Sequence, residues 1–126
     1  MGIIGHGVDL VEVSRIAGMI ERHAERFLAR VFTPAEAAHS EGRKGRAEHL
    51  AGRFAAKEAV LKALGTGWAN GIAWTDIEVV VLPTGAPTVR LSNHAAALAQ
   101  KQGVKAWHLS ISHTADHAMA SAIATG

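Results

Sequence analysis

The stretch that decides the fold runs from Arg53 to Ala63 and reads Arg-Phe-Ala-Ala-Lys-Glu-Ala-Val-Leu-Lys-Ala. It predicts the centre of a long helix from about Ala47 to Leu64, which the sequence Gly65-Thr66-Gly67 ends. At 100° per residue, the large apolar side chains fall within about 80° of arc and the small residues line the opposite side. The large ones are Leu50, Phe54, Leu61 and Leu64, and the small ones are Gly52, Ala55, Ala56, Ala59 and Ala63. We therefore expect this helix to be covered on two sides.

A helix covered on two sides leaves little water for its charges, yet this one carries Arg53, Lys57, Glu58 and Lys62. Glu58 and Lys62 are four residues apart in the favourable order, so they point the same way. One interpretation is a surface ion pair contributing ~0.3 to 0.5 kcal/mol. The other is a functional pair, in which the carboxylate serves a metal and the ammonium serves a phosphate.

Asp9 favours the functional interpretation, although a carboxylate at the end of a strand often only caps a helix or turn. It ends a segment, Ile3 to Asp9, that predicts a short, buried strand closely approached by other backbone. If Asp9 and Glu58 meet, two hard oxygen ligands with open positions suit Mg²⁺, which completes its shell with water and phosphate oxygens. Lys62 would neutralise that phosphate, and the amides around Gly65-Thr66-Gly67 could approach it closely.

The rest of the chain predicts an α+β fold with a largely antiparallel sheet. From Val13 a helical pattern places Ile16, Met19 or Ile20, His23 and Phe27 on one side, and Thr33-Pro34-Ala35-Glu36 forms a capping box that starts a short helix. A loop follows from Glu41 to Arg46. The later elements are a strand Asp76 to Leu82, a strand Thr88 to Leu91, a helix from Ser92 or Asn93 through Gln102, and strands at about Lys105 to Ser112 and Ala118 to Thr125.

Composition limits the class of protein. A chain of 126 residues with 48% hydrophobic and 19% charged residues fits one globular domain, residues 1–126. The absence of cysteine excludes disulfides and thiolate sites and suits the cytoplasm. A net charge of +2 argues against nucleic-acid binding over the whole surface, and no segment predicts an export signal or a membrane span. Two blocks rich in basic residues, Arg15 to Arg30 and Arg43 to Lys62, could still attract anionic partners.

The eight histidines do not predict a zinc site, because their spacing fits no ligand helix and there is no cysteine. In the strand Lys105 to Ser112, one face carries His108, Ser110 and Ser112, and the other carries Trp107, Leu109 and Ile111. His113 follows where the strand gives way to a turn. It is therefore better placed than His108 to reach a ligand.

Two motifs carry a resemblance to a known family. Gly7-Val8-Asp9 followed by Arg15 resembles the first motif of the 4′-phosphopantetheinyl transferases, and Arg53 to Ala63 is similar to their second, F-x-x-K-E-A-x-x-K-A. The short chain, Gly65-Thr66-Gly67, the turn Pro83 to Pro87 and the sequence Ser110 to Thr114 resemble the bacterial holo-acyl-carrier-protein synthases within that superfamily. The likeness covers nearly the whole chain.

The resemblance implies transfer of 4′-phosphopantetheine from coenzyme A to a serine of an acyl carrier protein, with release of 3′,5′-ADP, in fatty acid biosynthesis. It implies that Mg²⁺ on Asp9 and Glu58, together with Lys62, neutralises charge at the pyrophosphate. Glu58, Asp9 or a water on the metal could accept the serine proton. By the same resemblance, contacts to the nucleotide phosphates come from Lys44, Arg46, Arg53 and His113. It further implies a homotrimer whose active sites lie between subunits.

The acidic carrier protein is expected to dock on the first helix, which interleaves cations with apolar residues. The docking residues would be Arg15, Met19, Arg22, Arg26 and Phe27. Without the resemblance, the same helix reads as a solvated amphipathic helix. Two other functions remain open from the sequence: a non-catalytic binding module for coenzyme A or nucleotides, and a small metal-dependent phosphohydrolase.

Overall fold

The computed structural model describes residues 2–69 and 71–126. Its elements follow in the order β1 (Ile3–Glu12), α1 (Val13–Val31), α2 (Pro34–Ser40), α3 (Arg46–Leu64), a 3₁₀ turn (Trp74–Asp76), β2 (Ile77–Val81), β3 (Pro87–Leu91), α4 (Asn93–Lys101), β4 (Ala106–His113) and β5 (His117–Thr125). The α+β prediction is confirmed. From α3 onward, the ends of the predicted helices and strands agree with these bounds to about one residue.

The strands form two antiparallel sheets. One has three strands in the order β1-β5-β4, and the other is the hairpin of β2 and β3. In the larger sheet Ser121 of β5 lies opposite Val8 on one side and Ser110 on the other. β1, at the beginning of the chain, therefore pairs with the last strand rather than with a sequence neighbour.

Helix α3 packs against one face of the three-stranded sheet so closely that its backbone approaches the backbone of β1. A Cβ atom added to Gly5 would lie 2.0 Å from the carbonyl oxygen of Ala63, and one added to Gly7 would lie 2.0 Å from that of Ala59. The alanines of β5 that face the helix are fully buried: Ala118, Ala120, Ala122 and Ala124. The predicted close approach of backbone to β1 is therefore confirmed, and α3 is covered on several sides.

The prediction that β1 is a short, buried strand is wrong. The strand continues to Glu12, and only alternate residues such as Gly7 and Val11 are buried. Leu10 is 65% exposed and Val8 is 39% exposed. The physical reason is that α3 covers one face of the sheet, while no element among the described residues covers the opposite face. His108, Ser110 and Ser112 of β4 lie on that same uncovered face.

Helix α1 begins at Val13, as predicted, and buries Ile16 and Phe27. His23, expected on the packed side, is exposed instead. Ala24 has non-helical backbone angles (φ 41°, ψ −118°) that kink the helix, so one regular 3.6-residue pattern does not extend through the whole segment. No helix in the described part of the chain is long and apolar enough to cross a membrane.

Candidate functional site

Asp9 lies on the face of β1 that α3 covers, and it contacts Lys62 directly. The Lys62 ammonium lies 3.1 Å from Oδ1 of Asp9 and donates a second hydrogen bond, of 2.9 Å, to the carbonyl oxygen of Val8. Gly5 and Gly7 permit this contact because they allow the strand to lie against the last turns of the helix. The alternative that Asp9 only caps a helix or turn is wrong, since Asp9 lies inside the strand.

Glu58 completes a carboxylate pair one helical turn before Lys62. It is half-buried, and its Oε1 accepts a hydrogen bond of 3.4 Å from the indole N–H of Trp68. Burial raises the pKa of Glu58, Trp68 opposes that increase, and the nearby Asp9 carboxylate adds to it. Asp9 thus lies near enough to Glu58 to raise its pKa, while Lys62 forms its ion pair with Asp9 rather than with its helix neighbour Glu58.

The chemistry of this donor set fits a hard divalent cation. Two carboxylates supply oxygen ligands, and Mg²⁺ typically takes one or two carboxylates and fills its other positions with water and phosphate. Within residues 2–69 and 71–126 there is no cluster of three or more His, Cys, Asp or Glu side chains that could hold a metal.

Gly65-Thr66-Gly67 turns the chain away from the end of α3, close to Lys62. Gly65 and Gly67 have positive φ angles of 81° and 60°, which favour glycine. The Gly65 N–H, however, donates to the carbonyl oxygens of Leu61 and Lys62 and so caps the helix. The amides of Thr66 and Gly67 remain as the predicted phosphate contacts of this turn.

The four residues predicted to contact the nucleotide phosphates lie around the first half of α3. Lys44 is exposed in the preceding turn, Arg46 donates to Oγ of Ser40 at 3.3 Å, and Arg53 is half-buried. Burial lowers the pKa of Arg53, and so does the nearby Arg43. His113 ends β4, with its Nδ1 atom 3.8 Å from a carboxylate oxygen of Glu48.

These residues form a second group, separate from the carboxylate pair. Arg53 and Glu58 are five positions apart in the helix, which places them about 140° apart around α3. The single chain therefore does not bring the predicted phosphate contacts and the predicted metal ligands together on one side of the helix.

Sequence reasoning missed His49, which lies within this second group. Its Nε2 atom is buried without a hydrogen-bond partner, and its ring centroid lies 5.3 Å from that of His39. Burial lowers the pKa of His49 from 6.5 to about 4, with further contributions from Arg53 and Arg43.

On α1, the structure changes part of the predicted docking surface. Arg15, Arg22 and Arg26 are exposed, and Met19 is half-buried. Phe27 is only 7% exposed and packs edge-on against Phe32, with 5.8 Å between ring centroids. Its predicted role in docking stays a prediction, although the ring belongs to the hydrophobic core. One edge of it still lines a groove of about 300 Å³ together with Met19 and Arg26.

Sequence reasoning also missed a buried ion pair between Lys57 and Glu36. The ammonium lies 2.7 Å from the carboxylate, and both side chains are almost completely buried. Lys57 also donates to the carbonyl oxygens of Trp74 and Ile77. The capping box at Thr33 and Glu36 was predicted and is confirmed, but no local pattern relates Glu36 to a lysine 21 positions away.

Comparison with known proteins gives consistent matches. A family model described as "4'-phosphopantetheinyl transferase superfamily" matches residues 5–122. The holo-[acyl-carrier-protein] synthase of Solibacter usitatus is 51% identical over 121 residues, covering 96% of this chain and 97% of the relative. The crystal structure of that enzyme from Neisseria meningitidis has a TM-score of 0.90 at 30% identity, covering 99% of this chain and all of the other.

A third match is a complex. The Helicobacter pylori holo-[acyl-carrier-protein] synthase, solved with coenzyme A, has a TM-score of 0.83 at 30% identity. The match covers 95% of this chain and 99% of the other.

Proposed function

Because the chain belongs to the 4′-phosphopantetheinyl transferase superfamily, we propose that it transfers 4′-phosphopantetheine from coenzyme A to a serine of an apo acyl carrier protein. The serine oxygen forms a bond to the phosphorus on the pantetheine side of the pyrophosphate, the bond from that phosphorus to the bridging oxygen breaks, and 3′,5′-ADP leaves. The serine proton passes to a base, for which Glu58, Asp9 and a water molecule are the candidates. The observation that carries this proposal is the cluster of Asp9, Glu58 and Lys62 on β1 and α3.

We propose that Mg²⁺ is the cofactor and that Asp9 and Glu58 hold it. The paired carboxylates support this, because a site for phosphate alone gains nothing from two negative charges beside the ligand. When bound, the cation would supply Lewis-acid stabilisation of the negative charge that develops on the phosphoryl oxygens. Lys62, whose side chain is 55% exposed, can neutralise a substrate phosphate while it remains close to Asp9. Lys44, Arg46, Arg53 and His113 would bind the nucleotide phosphates.

We also propose that the protein is a homotrimer with active sites between subunits. The uncovered face of the three-stranded sheet exposes large apolar side chains, among them Val8, Leu10 and Met119. Such a face is typical of an interface between copies. The predicted phosphate contacts and the carboxylate pair lie on different sides of α3 within one chain. In a trimer, the phosphate contacts of one subunit can lie beside the carboxylate pair of its neighbour.

The carrier protein would dock on α1. Arg15, Arg22 and Arg26 present cations beside the half-buried Met19, which suits a small acidic partner. The Arg15 guanidinium lies 5.4 Å from the ring centroid of Phe54 on α3 and is close enough to Glu58 to lower its pKa. Docking at this helix would therefore deliver a carrier serine near the carboxylate pair. We propose that this reaction belongs to fatty acid biosynthesis, as the family resemblance implies, and that it takes place in the cytoplasm.

The products of one incubation separate this function from the two alternatives. The protein is incubated with coenzyme A and Mg²⁺, with and without an apo acyl carrier protein, and the nucleotides are resolved by chromatography. A transferase releases 3′,5′-ADP only when the carrier is present. Release without the carrier would indicate a phosphohydrolase, and intact coenzyme A in both samples would indicate a binding module.

A further inference from the structure

Trp68, in the turn after α3, contacts the carboxylate of Glu58. Its indole N–H donates to Oε1 at 3.4 Å, and the residue is 37% exposed. Gly65 and Gly67, both with positive φ, reverse the chain at this point, so that a residue beyond the helix returns to a residue within it. Neither sequence motif includes Trp68.

The Trp68 ring is held against a second aromatic ring, to which it is tilted by 37°. Its centroid lies 3.9 Å from that of Trp74, and the Trp74 ring stacks on Phe54 at 4.9 Å with an interplanar angle of 27°. Phe54 is buried in α3, one turn before Glu58. The same rigid helix thus anchors both the carboxylate and the stack that positions its hydrogen-bond donor.

We propose that Trp68 is a positioning residue, whose indole N–H holds one oxygen of Glu58 so that the other oxygen faces a divalent cation. This proposal rests on the proposed function, because it takes Glu58 to be a metal ligand. A carboxylate has two oxygens and accepts several hydrogen bonds. One oxygen can therefore be engaged by the indole while the other remains open. Hydrogen bonds to ligating side chains orient them, and their removal typically reduces metal affinity by about 10- to 100-fold.

The test compares Trp68→Phe with Trp107→Phe. Trp68→Phe keeps an aromatic ring against Trp74 but lacks the N–H donor, while Trp107→Phe makes the same change on β4, away from Glu58. Mn²⁺ binding is measured by calorimetry with coenzyme A present and no carrier protein, so that no transfer occurs. We expect about a 10-fold weaker Mn²⁺ affinity in Trp68→Phe and wild-type affinity in Trp107→Phe. Thermal unfolding checks that both variants fold.

A second readout is the emission of Trp68 itself. In the Trp74→Phe/Trp107→Phe double variant, Trp68 is the remaining tryptophan, because the chain has three. Mn²⁺ bound at Glu58 should quench its fluorescence, and Glu58→Gln should abolish that quenching at the same Mn²⁺ concentration. Quenching that depends on Glu58 shows that the cation binds beside Trp68, and the Mn²⁺ affinity of Trp68→Phe then tests the hydrogen bond itself.

The outcomes separate this proposal from the proposed function. If wild type and Trp68→Phe bind Mn²⁺ equally, the role of Trp68 is overturned and the transferase proposal stands. If wild type binds no Mn²⁺ but still modifies a carrier protein, the metal assignment fails and the Trp68 proposal fails with it.

Discussion

The Lys57 ammonium and the Glu36 carboxylate form a 2.7 Å ion pair that is sealed from water. Glu36 also accepts hydrogen bonds from the backbone N–H groups of Thr33 and Val79. This one pair therefore joins the start of α2, the middle of α3 and strand β2. Lys57 directly precedes Glu58, so the pair also fixes the helix at the carboxylate site.

Removing one partner of this pair should destabilise the fold strongly. Lys57→Met leaves the Glu36 charge buried without its ammonium, which typically costs about 3–5 kcal/mol. Urea unfolding at a fixed protein concentration measures the loss. The double variant Lys57→Met/Glu36→Leu should recover part of it, because it leaves no unpaired buried charge. Equal stability of wild type and Lys57→Met would contradict the role of the pair.

His49 should make stability depend on pH. Its pKa falls from 6.5 in the unfolded chain to about 4 in the folded protein, mainly through burial. Between these values the unfolded chain binds a proton that the folded protein does not, so stability should decrease as pH falls from about 6.5 to about 4. His49→Phe removes this contribution and should lose less stability over that window, as measured by urea unfolding at several pH values. Equal losses of stability in wild type and His49→Phe as pH falls would exclude His49 as a source of the pH dependence.

Assembly can be tested at the uncovered sheet face. Leu10 is 65% exposed in the single chain, and Leu10→Asp would place a charge in the proposed interface between subunits. Light scattering should give a mass near three chains for wild type and near one chain for Leu10→Asp, with loss of activity. Leu82→Asp is a matched control, because Leu82 is 45% exposed at the β2–β3 turn. A monomeric wild type that is fully active would refute a shared site.

Carrier docking is better tested at Arg22 than at Arg15. Arg15 also contacts Phe54 and affects Glu58, so its replacement would alter the site itself. Arg22 is exposed on α1, and Arg22→Glu should raise KM for the carrier about 10-fold, a change of ~1.4 kcal/mol, without weakening coenzyme A binding. Added salt should reduce the difference because it screens exposed charges. Lys101→Glu makes the same charge change on α4 and should leave KM for the carrier unchanged.

The sequence predicted the elements well where residues act locally. Glycines, a proline and a capping box mark the ends of α2 and α3, and the spacing of large and small apolar residues marks the packed sides of α3. The meeting of Asp9 with α3 was also predictable, because Gly5 and Gly7 signalled a backbone contact and Asp9 follows them on the same face.

Features that depend on long-range packing were not predictable. Whether a strand is covered on one face or two depends on layers elsewhere in the fold, so the exposure of Leu10 had no local signal. The kink at Ala24 displaced His23 from the packed side, and no glycine or proline marks that position. The partners Lys57 and Glu36 come from different helices, and only the tertiary fold brings them together.

The assignment of Asp9 and Glu58 to a transfer site is tested most directly by the intact mass of an apo acyl carrier protein after incubation with coenzyme A and Mg²⁺. Wild type and Glu41→Ala, which removes an exposed carboxylate from the loop after α2, should add the mass of one phosphopantetheine group. Asp9→Ala and Glu58→Ala should slow that addition by about 100-fold or more, because each removes charge stabilisation worth several kcal/mol, while both still unfold cooperatively. An unmodified carrier with wild type, or near-normal modification by both alanine variants at saturating coenzyme A, would contradict it.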